Sequence, residues 1–70
     1  MSETLLIRLN GESHPVALGA SIADLVAGLG LPAEAVAVEV NRELVPRRRW
    51  GEHRLAAGDE VELVTLVGGG

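Results

Sequence analysis

Cysteine, lysine, phenylalanine and tyrosine are all missing from this chain. Without cysteine there is no disulfide to staple the fold and no thiolate to serve as nucleophile or metal ligand. Without lysine no side-chain ammonium can form a Schiff base or accept an isopeptide bond, and all six positive side chains are arginines. Trp50 is the single aromatic residue, which leaves no stacking platform for nucleic-acid bases. Positive charge is scarce as well. The formal net charge is −4, and a nucleic-acid partner would need a basic footprint. His14 and His53 lie too far apart in sequence for ligand spacing, so no metal site is expected. No apolar run is long enough to span a bilayer, and no basic stretch leads into an apolar one near Met1. The expected location is therefore the cytoplasm, with no membrane partner.

What is present is aliphatic. The chain has 70 residues, 47% of them hydrophobic, enough for one domain with an apolar core and no other staple. Thr4–Leu9 alternates as a strand and runs into Asn10-Gly11, a hairpin signal because both residues tolerate positive φ. Ser13–Leu18 reads as a second strand, confined to an edge by Pro15. Ser21 is a natural N-cap with Asp24 three residues on. Ile22, Leu25, Val26 and Leu29 then form one stripe, and Gly30 followed by Pro32 stops the helix. Val36–Asn41 is a third strand and Glu43-Leu44-Val45 a short returning one. Arg47–Arg54 reads as a polar loop with Trp50 as a lid over the edge of the core. Ala57-Gly58-Asp59 is a turn and Glu60–Val67 the final strand. A hairpin, a helical crossover and a long last strand returning to the middle make the β-grasp pattern. The expected fold is α+β, with a mixed four- to five-stranded sheet on one helix at about residues 21–30.

One helix covers one face of such a sheet. Alternation assigns Leu5, Ile7, Leu9, Val36, Val38, Val40, Val61 and Leu63 to the helix side. It assigns Leu6, Arg8, Glu39, Glu60, Glu62, Val64 and Leu66 to the open side. Leu6, Val64 and Leu66 then stand as apolar groups on the open face. With Val67 they are expected either to dock a partner near the root of the tail or to be covered by the chain's own loops through Trp50. Arg47-Arg48-Arg49 reads as a solvated loop, and Glu60 and Glu62 as a solubilising pair on one strand face.

The sequence closes on Gly68-Gly69-Gly70. Glycines after a final strand turn nothing and bury no side chain, yet cost ordering entropy. What they provide is a thin backbone ending in a carboxylate, able to enter a channel too narrow for a Cβ. Three extended residues reach roughly 10 Å. The expected division is a folded domain at 1–67 and a flexible tail at 68–70.

Several segments in order resemble a known family: Asn10-Gly11-Glu12, Val36-Ala37-Val38-Glu39 then Asn41, Val45-Pro46-Arg47, Leu55 with Gly58-Asp59-Glu60-Val61-Glu62, and Val67-Gly68-Gly69-Gly70. Together they resemble the ThiS-type sulfur carriers of thiamine biosynthesis, which are ubiquitin-like β-grasp proteins. Arg42 departs from the pattern, where the family often has glycine. The resemblance implies a carrier rather than an enzyme. An ATP- and Mg-dependent, E1-like (ThiF-type) enzyme would adenylate Gly70, and a sulfur donor such as a cysteine desulfurase would supply the sulfur of a thiocarboxylate. A ThiG-type thiazole synthase would then receive that sulfur. The chain itself would bind no cofactor, and Gly68 and Gly69 would lie in the partner's channel against its wall. A MoaD-like small subunit of molybdopterin synthase and a ubiquitin-like modifier conjugated through Gly70 share the fold and the terminal chemistry. An interaction module with an inert tail shares the fold alone.

Overall fold

A computed structural model describes residues 3–66 of the chain. Its elements are β1 (Thr4–Leu9), β2 (Glu12–Ala17), α1 (Ile22–Gly28), β3 (Val36–Val40), β4 (Glu43–Leu44) and β5 (Glu60–Thr65). Short 3₁₀ turns at Ala33–Ala35 and Arg47–Arg49 precede β3 and follow β4. The strands form one sheet in the order β2-β1-β5-β3-β4. β5 lies parallel to β1 and antiparallel to β3. The last strand thus returns to the centre between the first and the third, and the β-grasp expectation holds.

Local chemistry sets the ends of each element. Asn10 and Gly11 both have positive φ, 50° and 85°, which suits the two-residue turn joining β1 to β2. Pro15 sits opposite Leu6 on the outermost strand, where its missing N–H leaves no gap in the sheet. At the start of α1 the capping box is complete: the Asp24 N–H donates to Ser21 Oγ and the Ser21 N–H to Asp24 Oδ2. Those bonds hold the Asp24 carboxyl below its ordinary value. The remaining first-turn donors, the N–H groups of Ile22 and Ala23, reach the carbonyls of His53 and Trp50. The helix N-terminus is therefore closed by the loop that follows β4. At the other end Gly30 has φ 74°. The Gly30 N–H bonds to the Ala27 carbonyl and the Leu31 N–H to that of Val26, the paired bonds of a glycine-terminated helix.

The core lies between α1 and the inner sheet face. Ile7, Ile22, Val38 and Val61 are its most fully enclosed members. Leu5, Leu9 and Leu63 pack against it partly buried, so the alternation sorts the two faces as expected. Three expectations need correction. Leu29 is 37% exposed, because α1 ends at Gly28 and the stripe stops a turn early. Asn41 is not in a strand but in a turn, with φ 52°. Trp50 is no lid and covers nothing on the open face: it is 3% exposed within the core. Its Nε1–H donates to the Val45 carbonyl at 2.9 Å, and this bond allows the indole to be buried.

Candidate functional site

β5 carries the chain toward residues 67–70, so the site is built around it. Its first half is held from both sides. On the β1 side, Arg8 lies beside Glu60 and Leu9 beside Val61, and the Asn10 N–H donates to the Val61 carbonyl. β1 then ends, and the Asn10 side chain takes over. Asn10 Oδ1 accepts from the Leu63 N–H at 2.8 Å, and Asn10 Nδ2 donates to the Leu63 carbonyl at 3.4 Å. On the β3 side a second asparagine does the equivalent work at the start of β5. Asn41 Oδ1 accepts from the Glu60 N–H, the Asn41 N–H donates to the Glu60 carbonyl, and Asn41 Nδ2 donates to Asp59 Oδ1. Asp59 in turn closes its own turn by accepting the Ala56 N–H.

The sequence marked Asn10 only as a turn residue and Asn41 only as the end of a strand. A signal did exist: asparagine is the side chain that both tolerates positive φ and offers a donor and an acceptor to neighbouring backbone. The two clamps fix the direction of β5 through its first four residues. Beyond Leu63 the strand keeps only β3, which pairs Ala37 with Val64 and Val36 with Thr65. The Leu66 N–H then donates to the Ala35 carbonyl.

The open face divides into three zones. Its middle is polar. Glu39 lies directly across from Glu62, and Arg8 beside Glu60. These residues and Arg42 line a depression of about 290 Å³. Like charges placed opposite one another destabilise a sheet and unlike charges stabilise it, so Glu39 opposite Glu62 works against the pairing that Arg8 beside Glu60 favours. Among the described residues no group of three or more His, Asp or Glu side chains is arranged to hold a metal ion.

The two ends of the face are apolar. Val64 and Leu66, 54% and 56% exposed, lie at the root of the tail; Leu44, also exposed, sits on β4 beside Glu39, level with the polar middle. Leu6 is 57% exposed but lies at the opposite end, across from Pro15. The single patch expected from Leu6, Val64 and Leu66 is therefore corrected. β1 and β5 are indeed neighbours, but their parallel register sets Leu6 level with Gly58, whose N–H it accepts. Six strand residues separate that level from Val64, about 20 Å, and the charged band lies between. Alternation gives the face of a residue; only the register gives its height along the strand.

Val67, Gly68, Gly69 and Gly70, the remaining expected site residues, lie outside the described residues. Arg47, Arg48 and Arg49 are exposed on a single 3₁₀ turn, where successive side chains point about 120° apart and cannot converge on one anion. Arg47 instead approaches Glu34 at 3.9 Å, both side chains exposed. His14 and His53 are half-buried rather than fully exposed.

The ThiS family model matches residues 7–70. The sulfur carrier protein ThiS of Bacillus subtilis is 40% identical over 50 residues, 71% of this chain and 76% of that protein. A thiazole synthase of Magnetococcus marinus is 42% identical over 64 residues, 91% of this chain but 20% of that protein. The chain spans about one-fifth of the length of the thiazole synthases it matches. The crystal structure of the thiamine biosynthesis protein ThiS from Geobacter metallireducens superposes with a TM-score of 0.81 at 30% identity, covering 94% of this chain and all of that one. A match running through the clamped half of β5 and on to Gly70, together with this shared fold, establishes that the chain belongs to the ThiS family.

Proposed function

We propose that this chain is a sulfur carrier for thiazole formation in thiamine biosynthesis, with the Gly70 carboxylate as its working group. The observation that carries the reading is the family match, which extends through the terminal glycines, joined to a sheet that fixes β5 and aims it at them. A carboxylate is ionised near neutral pH and is a poor electrophile. An adenylating partner would convert it, with ATP and Mg, to an acyl adenylate. A persulfide from a donor such as a cysteine desulfurase would displace AMP to give an acyl disulfide. A partner thiol would cleave its S–S bond to release the thiocarboxylate and leave a disulfide on the partner. A thiazole synthase would take the sulfur and return the carboxylate. The chemistry belongs to the partners; the carrier contributes no general base. Gly68 and Gly69 let the backbone lie against a channel wall where a Cβ would collide. Val64 and Leu66, with Val67, are the apolar contact at the channel mouth, and Leu6 is not part of it. Because activation consumes ATP, we assign the work to the cytoplasm.

The test is mass spectrometry of the chain after incubation with its adenylating enzyme, ATP and a sulfur donor. The expected product carries sulfur in place of one oxygen at Gly70. An unchanged mass, with the adenylating enzyme active on another carrier, refutes the reading. Gly69→Val is expected to fold normally and to be adenylated more slowly, and equal rates would remove the channel role.

A further inference from the structure

β5 loses one neighbour partway along its length, and the loss leaves an open edge inside the sheet. Among the described residues Leu63 is the last of β5 whose β1-facing backbone groups are satisfied, and a side chain, that of Asn10, satisfies them. Strand alternation turns the backbone groups of Val61, Leu63 and Thr65 to that one side and those of Glu60, Glu62, Val64 and Leu66 to β3. The bonds from Asn10 to Val61, from Asn41 to Glu60 and from Leu66 to Ala35 follow this pattern. Beside Thr65 no strand remains, and no acceptor among the described residues reaches its N–H.

The outer edges of the sheet are guarded in recognisable ways. β2 carries Pro15, and β4 is two residues long and includes Glu43. Proline, charge and brevity all discourage pairing with a foreign strand. The Val64-Thr65-Leu66 edge has none of these devices: it is uncharged, free of proline and rich in β-forming residues.

We infer that this edge receives an extended segment of a thiazole synthase, which adds a strand beside β5 in line with the end of β1. The inference rests on the carrier reading above. The occupant is chosen because a thiazole synthase contains a region 42% identical to this chain, so the fold and that enzyme work in one another's immediate reach. The edge also leads directly into residues 67–70. A strand paired at Thr65 would hold the chain extended on its way to the reacting carbon. Main-chain pairing of this kind takes its affinity from backbone groups, which suits a tail with no side chains to grip.

The experiment uses the full chain, labelled for amide exchange, with the thiazole synthase of the same cell. The Thr65 N–H is expected to exchange freely in the isolated chain and to be protected at least tenfold in the complex. A synthetic chain with the Thr65 amide replaced by an ester should keep its fold, because no acceptor among the described residues takes that N–H. It should bind the synthase about tenfold more weakly, the usual scale of one lost hydrogen bond. A complex that forms without protecting Thr65, an ester variant that binds as tightly as its parent, or no binding of either chain overturns the strand pairing. Loading of Gly70 with sulfur is scored separately, so failure of the carrier reading is recognised by its own assay.

Discussion

The two halves of β5 live under different rules. From Glu60 to Leu63 the strand is flanked on both sides, one residue is 1% exposed, and two asparagine side chains fix its ends. From Val64 onward it has β3 alone, and its side chains are more than half exposed where they face away from the helix. The first half is an anchor and the second a launching point. A carrier needs both, because a reactive end can be presented accurately only from a root that does not move.

The comparison breaks most completely if the anchor's surroundings go. Trp50→Ala removes the largest core side chain and leaves the Val45 carbonyl without its donor. A loss of about 3–5 kcal/mol is expected, a large part of the total for a domain this small. Urea denaturation should therefore show a population already unfolded without denaturant. A stability loss below about 1 kcal/mol would mean that the indole is not the keystone its burial indicates.

The same strand offers a cleaner pair. Val61→Ala, at a site 1% exposed, should cost about 2 kcal/mol through lost methyl burial and a residual cavity. Val64→Ala, at a site 54% exposed, should stay within about 0.5 kcal/mol of the parent. Sulfur transfer should reverse the order of importance. Val64→Arg is expected to slow transfer while the protein stays folded, and Leu6→Arg, at the other end of the face, is not. Equal effects of the two arginines on transfer would erase the distinction between the ends.

A smaller change tests the clamp itself. Asn10→Gly keeps the positive φ but deletes the bonds to Leu63. The expected cost is about 1 kcal/mol, with faster amide exchange at Leu63 and unchanged protection at Val38. If exchange at Leu63 stays slow, the side chain is not what ends the β1 ladder.

These residues also show what could be read before the fold was known. The faces of β1, β3 and β5 follow from alternation, because a two-residue period depends only on the neighbours in sequence. The capping box at Ser21 and the turn at Asn10-Gly11 are equally local. The Leu6 error and the unrecognised clamps share a cause: both depend on register between strands far apart in sequence, about fifty residues for Leu6 and Asn10 and about twenty for Asn41, and no local pattern carries it. Trp50 misled for a related reason. A lone aromatic among three arginines and a glutamate looks like loop, and only the returning chain at Ala20 and Ala23, which bonds to Leu55 and Trp50, draws it inside.

Arg42 supplies the finest test of the division between anchor and launching point. It has φ 72° in the turn after β3, a conformation that an ordinary side chain holds at a cost of about 1 kcal/mol or more. Glycine would relieve that strain but would also give the unfolded chain more freedom to lose. The net expectation for Arg42→Gly is a gain of about 0.5 kcal/mol, read as a higher denaturation midpoint with an unchanged slope. If the guanidinium serves only the charged band of Glu39, Glu60 and Glu62, whose depression it lines, transfer to the synthase should be unaffected, because that band lies on the anchored half. A variant that is more stable yet slower in transfer would move the working surface inward from Val64 and Leu66. Strain at Arg42 would then be part of recognition, and the boundary at Leu63 would mark the end of a ladder but not the edge of the site.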